Sequence, residues 1–173
     1  MTRYDKRSVA YHWISAALIL TLWLLGQNID WFSRGDPRVY ARSMHILLGV
    51  ILGLIIALRL MWRRTGGAQL PPASAGLQGR LAIGVHHLLY ALVTAIVLVG
   101  LACVWIRGDN IFNLFKLPVF DPSNPELRHT AVGLHGLLAN ILLALSACHA
   151  AAALWHHLIV KDKVLARMLP FLK

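Results

Sequence analysis

The sequence predicts an all-α membrane protein built as a bundle of four transmembrane helices. Of its 173 residues, 58% are hydrophobic and only 14% charged, a composition outside the range of ordinary soluble domains. Four apolar runs are long enough to cross a hydrocarbon core: Val9 to Gly26, His45 to Leu60, Leu81 to Ile106 and Ala131 to Val160. The second reaches spanning length with its flanking turns, from about Pro37 to Trp62. The net charge of +10 is sorted by side. If the N-terminus is cytoplasmic, that side holds Arg3, Lys6, Arg7, Arg59, Arg63, Arg64, Arg80, Lys161, Lys163, Arg167 and Lys173, against Arg34, Arg38, Arg42, Arg107, Lys116 and Arg128 opposite. This positive-inside pattern predicts both termini in the cytoplasm, with membrane lipid rather than nucleic acid as the partner of the basic charge. Residues 1–173 read as a single membrane domain, with helices over about 6–27, 37–63, 80–106 and 125–160.

The first helix starts after Asp5, whose carboxylate can cap its amides. Arg3, Lys6 and Arg7 ahead of an apolar run also fit a cleavable signal peptide. That run, however, is long for one, carries His12 and Trp13 at its head and lacks a small-residue cleavage site. Asp36 as cap with Pro37 at the first position opens the second helix, which ends in ALRLMWRR. TGGAQLPPASAGLQG is a polar loop, and Arg80 leads into the third helix with His86, His87 and Tyr90 near its inner end. IFNLFKLPVF is short and broken by Pro118, hence an interfacial piece on the outer surface rather than a span. Asn124 and Pro125 repeat the start motif for the fourth helix. Cys103 and Cys148 fall at opposite depths, which disfavours a disulfide.

The chemistry lies in the histidines. His135 and His149 stand fourteen residues apart, just under four turns, so they share a helix face at depths roughly 21 Å apart. His45 lies eight residues past Pro37, and His135 ten past Pro125, on helices that both run inward, so these two are level. His12, near the inner end of the first helix, is level with His149 by the same reckoning. A neutral imidazole is a good haem ligand, and two on one iron close its coordination in favour of electron transfer over oxygen chemistry. Zinc fits poorly, because histidines so far apart cannot share one ion. Gly49 and Gly53 follow His45, and Gly133 and Gly136 flank His135; they serve either clearance for a flat ring or close helix packing, and the sequence leaves both open.

The chain resembles the bacterial cytochrome b561 family of di-haem four-helix inner-membrane proteins. The likeness is carried by the HW at His12-Trp13, Met44-His45 followed by LLG, HHLLY, the RG at Arg107-Gly108, LHGLLAN, and CHAAAALWHHLIVKD. It covers nearly the whole chain. It implies two haem b groups between the helices, with His12 and His149 as axial ligands of the inner iron and His45 and His135 of the outer one. The nearest likeness is to stand-alone members that oxidise superoxide at the periplasmic face and reduce ubiquinone, an oxidoreductase activity. His86 and His156 are then candidates for a quinone pocket or a haem propionate, or else plain interfacial histidines. His87 and His157 are assigned to headgroups, and His129 to no role. Arg42, Arg107, Lys116 and Arg128 are candidates for steering an anionic donor, or else simple flanking cations.

Two rival readings follow. In one the chain is the cytochrome b membrane subunit of a larger respiratory dehydrogenase or hydrogenase, fed by a redox partner protein. In the other, ranked lowest, it is a cofactor-free helical protein or a metal transporter. The physiological donor, the quinone, the haem potentials and any homodimer are not written in the sequence.

Overall fold

The computed structural model describes residues 3–71 and 76–169. Lys173, counted among the cytoplasmic cations, and residues 72–75 of the connecting loop lie outside them. Four long helices make up the chain: α1 (Lys6–Asn28), α2 (Asp36–Thr65), α3 (Gly76–Arg107) and α4 (Pro125–Trp155). A single wide turn, His156–Val160, continues α4. All four are long and apolar enough to cross a membrane. Neighbours in the chain are neighbours in space, and α4 closes the ring against α1.

Each helix start has a local cause. The Asp5 carboxylate accepts from the Ser8 amide at 3.0 Å, and Asn124 Oδ1 accepts from the Leu127 amide at 3.0 Å, so two orphan donors are satisfied. The second helix differs from expectation. Gly35, at φ +95°, makes the entry turn and Asp36 is already helical. The Asp36 carboxylate instead accepts from Asn113 Nδ2 at 3.0 Å.

The first and last described segments meet at one end of the bundle. The Tyr4 amide donates to the Arg167 carbonyl at 3.3 Å, Trp13 Nε1 to the Met168 carbonyl at 2.9 Å, and Arg167 to the Pro71 carbonyl at 2.7 Å. Asp5 does more than cap there, because it also accepts from Trp62 Nε1 and the Ala68 amide, both at 3.0 Å. One carboxylate thus ties the start of α1 to the end of α2.

At the opposite end, the first part of IFNLFKLPVF folds with Asn110 as a small hairpin between α3 and α4. β1 (Asn110–Ile111) pairs antiparallel with β2 (Phe115–Lys116) in the register Asn110↔Lys116. Phe112 and Asn113 turn the chain at φ 52° and 58°. The hairpin hangs on Ser43, which is fully buried and accepts from the Phe112 amide at 2.8 Å.

The outside of the bundle is apolar: Leu54, Leu98 and Leu137 are each more than half exposed. In lipid such surface has no water to escape, so helices associate through close packing and polar links. One such link joins α1 to α4, where Trp23 Nε1 donates to Asn140 Oδ1 at 2.9 Å. The packed core is a thin layer of Leu22, Leu52, Ile56, Val93 and Leu142, drawn from all four helices.

Candidate functional site

Above and below that apolar layer the bundle carries histidines. Toward the hairpin end, α2 presents His45 and α4 presents His135, with ring centres 6.1 Å apart and planes crossed at 77°. Toward the end with the termini, α1 presents His12 and α4 presents His149, with ring centres 6.3 Å apart and planes crossed at 74°. The structure therefore brings together both pairs singled out by depth. The reason is geometric: α2 and α4 run the same way while α1 runs opposite, so counts from the helix starts translate into levels.

The hairpin-end pair borders a cavity of about 240 Å³ lined by residues of all four helices, among them Trp23, Gly49, Gly136 and Leu142. Nδ1 of His45 and of His135 is buried without a hydrogen-bond partner. The glycines left open by the sequence now divide. Gly49 and Gly136 line the cavity with nothing within 4 Å of where a Cβ would stand. Gly133 likewise faces open space, whereas a Cβ on Gly53 would stand 2.9 Å from Val97 Cγ1, so Gly53 serves the contact of α2 with α3.

Arg42 and Arg107 line the same cavity and both face Asp109, at 3.7 and 3.3 Å. Asp109 is only 6% exposed, and its burial pushes the carboxyl above its ordinary range against the pull of Arg107, Arg42 and Arg128. Two of the four candidate steering cations are therefore half-buried and engaged, whereas Lys116 and Arg128 are exposed.

At the other end, Arg59 Nη2 donates to Nδ1 of His12 at 3.0 Å and its guanidinium lies over the Tyr90 ring. A small cavity there is lined by Tyr4, Ser8, Arg59, Arg63, His86 and Tyr90 among others. His86 stands beside His149, with ring centres 5.2 Å apart, and donates from Nδ1 to the Ala82 carbonyl at 2.6 Å. His156 turns instead to Asp162, at 2.6 Å from Nδ1 to Oδ2. Burial works to raise the Asp162 carboxyl, but bonds from the Val164 amide and His156 hold it below its ordinary range. His87 donates to the Ile83 carbonyl of its own helix.

The sequence profile describing prokaryotic cytochrome b561 matches residues 3–171. The chain belongs to the prokaryotic cytochrome b561 family. Among its relatives, cytochrome b561 homolog 1 of Escherichia coli strain K12 is 30% identical, covering 98% of both chains. Cytochrome b561 homolog 2 of the same organism is 32% identical over 96% of this chain and 91% of its own. The probable superoxide oxidase CybB of Yersinia pestis is 27% identical over 97% and 96%. This cytochrome b561 family member is a multi-pass bacterial membrane protein of electron transport and binds haem b.

The geometry can be tested against that cofactor. With imidazole–metal bonds of about 2.0 Å and roughly 1.1 Å from nitrogen to ring centre, two rings facing each other across one iron would have centres about 6.2 Å apart. Both pairs, at 6.1 and 6.3 Å, meet this, and His86 with His149, at 5.2 Å, is too close. The open glycines and the buried orphan nitrogens at the hairpin end also suit a flat ring with two axial imidazoles.

Residue reading alone passed over Arg59, Asp109, Gly26, Gly100 and the Trp23–Asn140 link. Asn140 closes LHGLLAN and Gly100 lies level with His135 by count, so their presence was legible, but not what each would touch.

Proposed function

We propose that this cytochrome carries two haem b groups, one held by His45 and His135 and the other by His12 and His149. We further propose that it moves electrons from a donor at the hairpin end to a quinone in the bilayer. The observation that carries the reading is the repetition of one ring-pair geometry at two levels of a single bundle. When bound, haem b supplies one-electron redox capacity in a low-dielectric core. Two imidazoles per iron leave no open position, which favours outer-sphere transfer over oxygen binding.

The chain's own residues have distinct tasks. His45 and His135 would hold a haem in the cavity they share with Arg42, Asp109 and Arg107, whose guanidinium groups could receive its acidic edge. Arg59 has a parallel task at the other end. As long as it donates to Nδ1 of His12, the ring proton sits on Nε2. Were Nε2 to hold a haem iron, the proton would stand on Nδ1 and Arg59 would be available to another acceptor, for which a propionate is suited. His86, beside His149 in the small cavity, is placed to bond a quinone carbonyl or a propionate, and His156 contributes from the pair it forms with Asp162.

Superoxide, after which the probable superoxide oxidase of Yersinia pestis is named, fits the hairpin end. Exposed Lys116 and Arg128 attract an anion there, and Arg42 and Arg107 together outweigh the single charge of Asp109. Two superoxide ions would each give up one electron to leave dioxygen. The two electrons, with two protons, would convert ubiquinone to its quinol. The excess of Lys and Arg at the end with the termini makes that end cytoplasmic and the hairpin periplasmic.

Reduced-minus-oxidised spectra with iron quantification test the cofactor assignment. Two haem b per chain are expected, with one lost in His135→Ala and one in His149→Ala; unchanged haem content in either variant removes that pair. For the reaction, the purified protein is mixed with superoxide and ubiquinone. Quinol formation is expected, slowed in His86→Gln and in His156→Gln with both haems retained. Absence of quinol from the lone protein would leave the reading as a subunit of a larger dehydrogenase.

A further inference from the structure

Each histidine of the hairpin-end pair stands against a glycine on a neighbouring helix. A Cβ built on Gly100 of α3 would lie 2.9 Å from Cε1 of His135, and one on Gly26 of α1 would lie 3.1 Å from Cε1 of His45. The two glycines share a second feature. Nδ1 of His45 and of His135 is buried, and the same Cβ atoms would stand 3.5 Å from Nδ1 of His45 and 3.4 Å from Nδ1 of His135. Leu22 and Ile96, which line the same cavity, lie four residues before Gly26 and Gly100 in the same helices. A side chain on a helix leans toward the N-terminus and covers the turn before it, which includes the carbonyl four residues back. Glycine leaves that carbonyl uncovered, and the second lone pair of its oxygen is available to an N–H arriving from outside.

We propose that Gly26 and Gly100 are positioning residues for the hairpin-end haem. By leaving the Leu22 and Ile96 carbonyls open, they let the two ligand imidazoles settle with Nδ1–H toward the backbone and keep their planes crossed, at 77° here. The inference rests on the reading of His45 and His135 as an axial pair. A metal-bound histidine is ordinarily oriented by a partner at its other nitrogen, and here glycines grant access to that partner.

Crossed imidazole planes leave the two iron d orbitals that overlap the rings nearly equal in energy, which spreads the low-spin ferric spectrum toward high g. The test is low-temperature electron paramagnetic resonance of the oxidised full-length protein, with haem per chain and a redox titration measured on the same sample. In Gly100→Ala two haems are expected to remain, with one of the two low-spin signals and one midpoint potential displaced and the other signal as in the wild type. Gly26→Ala should displace the same signal by less. Gly84→Ala, which adds its methyl group to open space on α3, should leave both signals in place.

Gly100→Ala and Gly26→Ala proteins with two haems and unchanged signals would overturn the proposal. If Gly100→Ala loses a haem, Gly26→Ala decides alone: a displaced signal supports the proposal and a wild-type spectrum overturns it. A wild-type protein with fewer than two haems, or a His135→Ala protein that retains both, fails at the level of the axial pair and takes the glycine proposal with it. That failure is seen before any glycine variant is read.

Discussion

Asp5 gathers four donors onto one carboxylate: the Ser8 amide and hydroxyl, Trp62 Nε1 and the Ala68 amide. Partial burial works to raise its pKa from the ordinary 3.8, but these bonds outweigh it and hold the group well below that value. A carboxyl depressed in the folded state contributes stability that is fully present above the unfolded value, about pH 4, and is lost as pH falls toward the folded one. Thermal unfolding in detergent should therefore show the wild type losing stability between about pH 5 and pH 3. Asp5→Asn should be less stable at pH 7 and flatter across that window. Asp5→Ala should cost about 1–3 kcal/mol, combining a lost cap with lost bonds to charge. Arg59 offers a second test at this scale. A cation beside a haem favours its reduced form, so Arg59→Gln should lower one of two midpoint potentials, on the order of 50 mV, and leave the other in place. An equal shift in both would mean that Arg59 is not local to the His12 level.

Between helices, the glycines differ in what they face, and substitutions should separate them. Gly53→Ala forces a methyl group onto Val97 across the α2–α3 contact and should cost about 1–3 kcal/mol, read as a lower unfolding temperature. Gly49→Leu fills open space along the cavity; it should retain helix content by circular dichroism while haem per chain drops by one. The hairpin is tied to α2 by the Ser43 hydroxyl and by the bond from Asn113 to Asp36. Ser43→Ala leaves the Phe112 amide without its acceptor, at about 1–3 kcal/mol, and protease cleavage within 110–116 should speed up while the helices resist. The helix starts at Asp5 and Asn124 were legible because capping depends on residues a turn apart. The Gly35 entry was not, because Asp-Pro fits a cap followed by a first helical residue, whereas the fold starts the helix at Asp36 and sets its carboxylate on Asn113, far along the chain.

Across the whole molecule, the thin apolar layer of Leu22, Leu52, Ile56, Val93 and Leu142 separates two polar levels, so any electron passing between them crosses a few side chains rather than water. Reporter fusions at the two termini should both report the cytoplasm, with cysteine labelling of the hairpin accessible from the periplasm; termini on opposite sides would contradict the charge distribution. The amino-acid order by itself determined that four helices span, and that His12 lies level with His149 and His45 with His135, because helical rise converts residue counts into depth and apolar length is a property of a segment alone. Only the tertiary structure decided which rings face each other across the bundle, that Arg42 and Arg107 are drawn onto Asp109, and that Gly53 packs on Val97 while Gly26 and Gly100 meet the imidazoles. Those facts depend on how each helix is rotated about its axis, and rotation is set by packing between residues far apart in the chain.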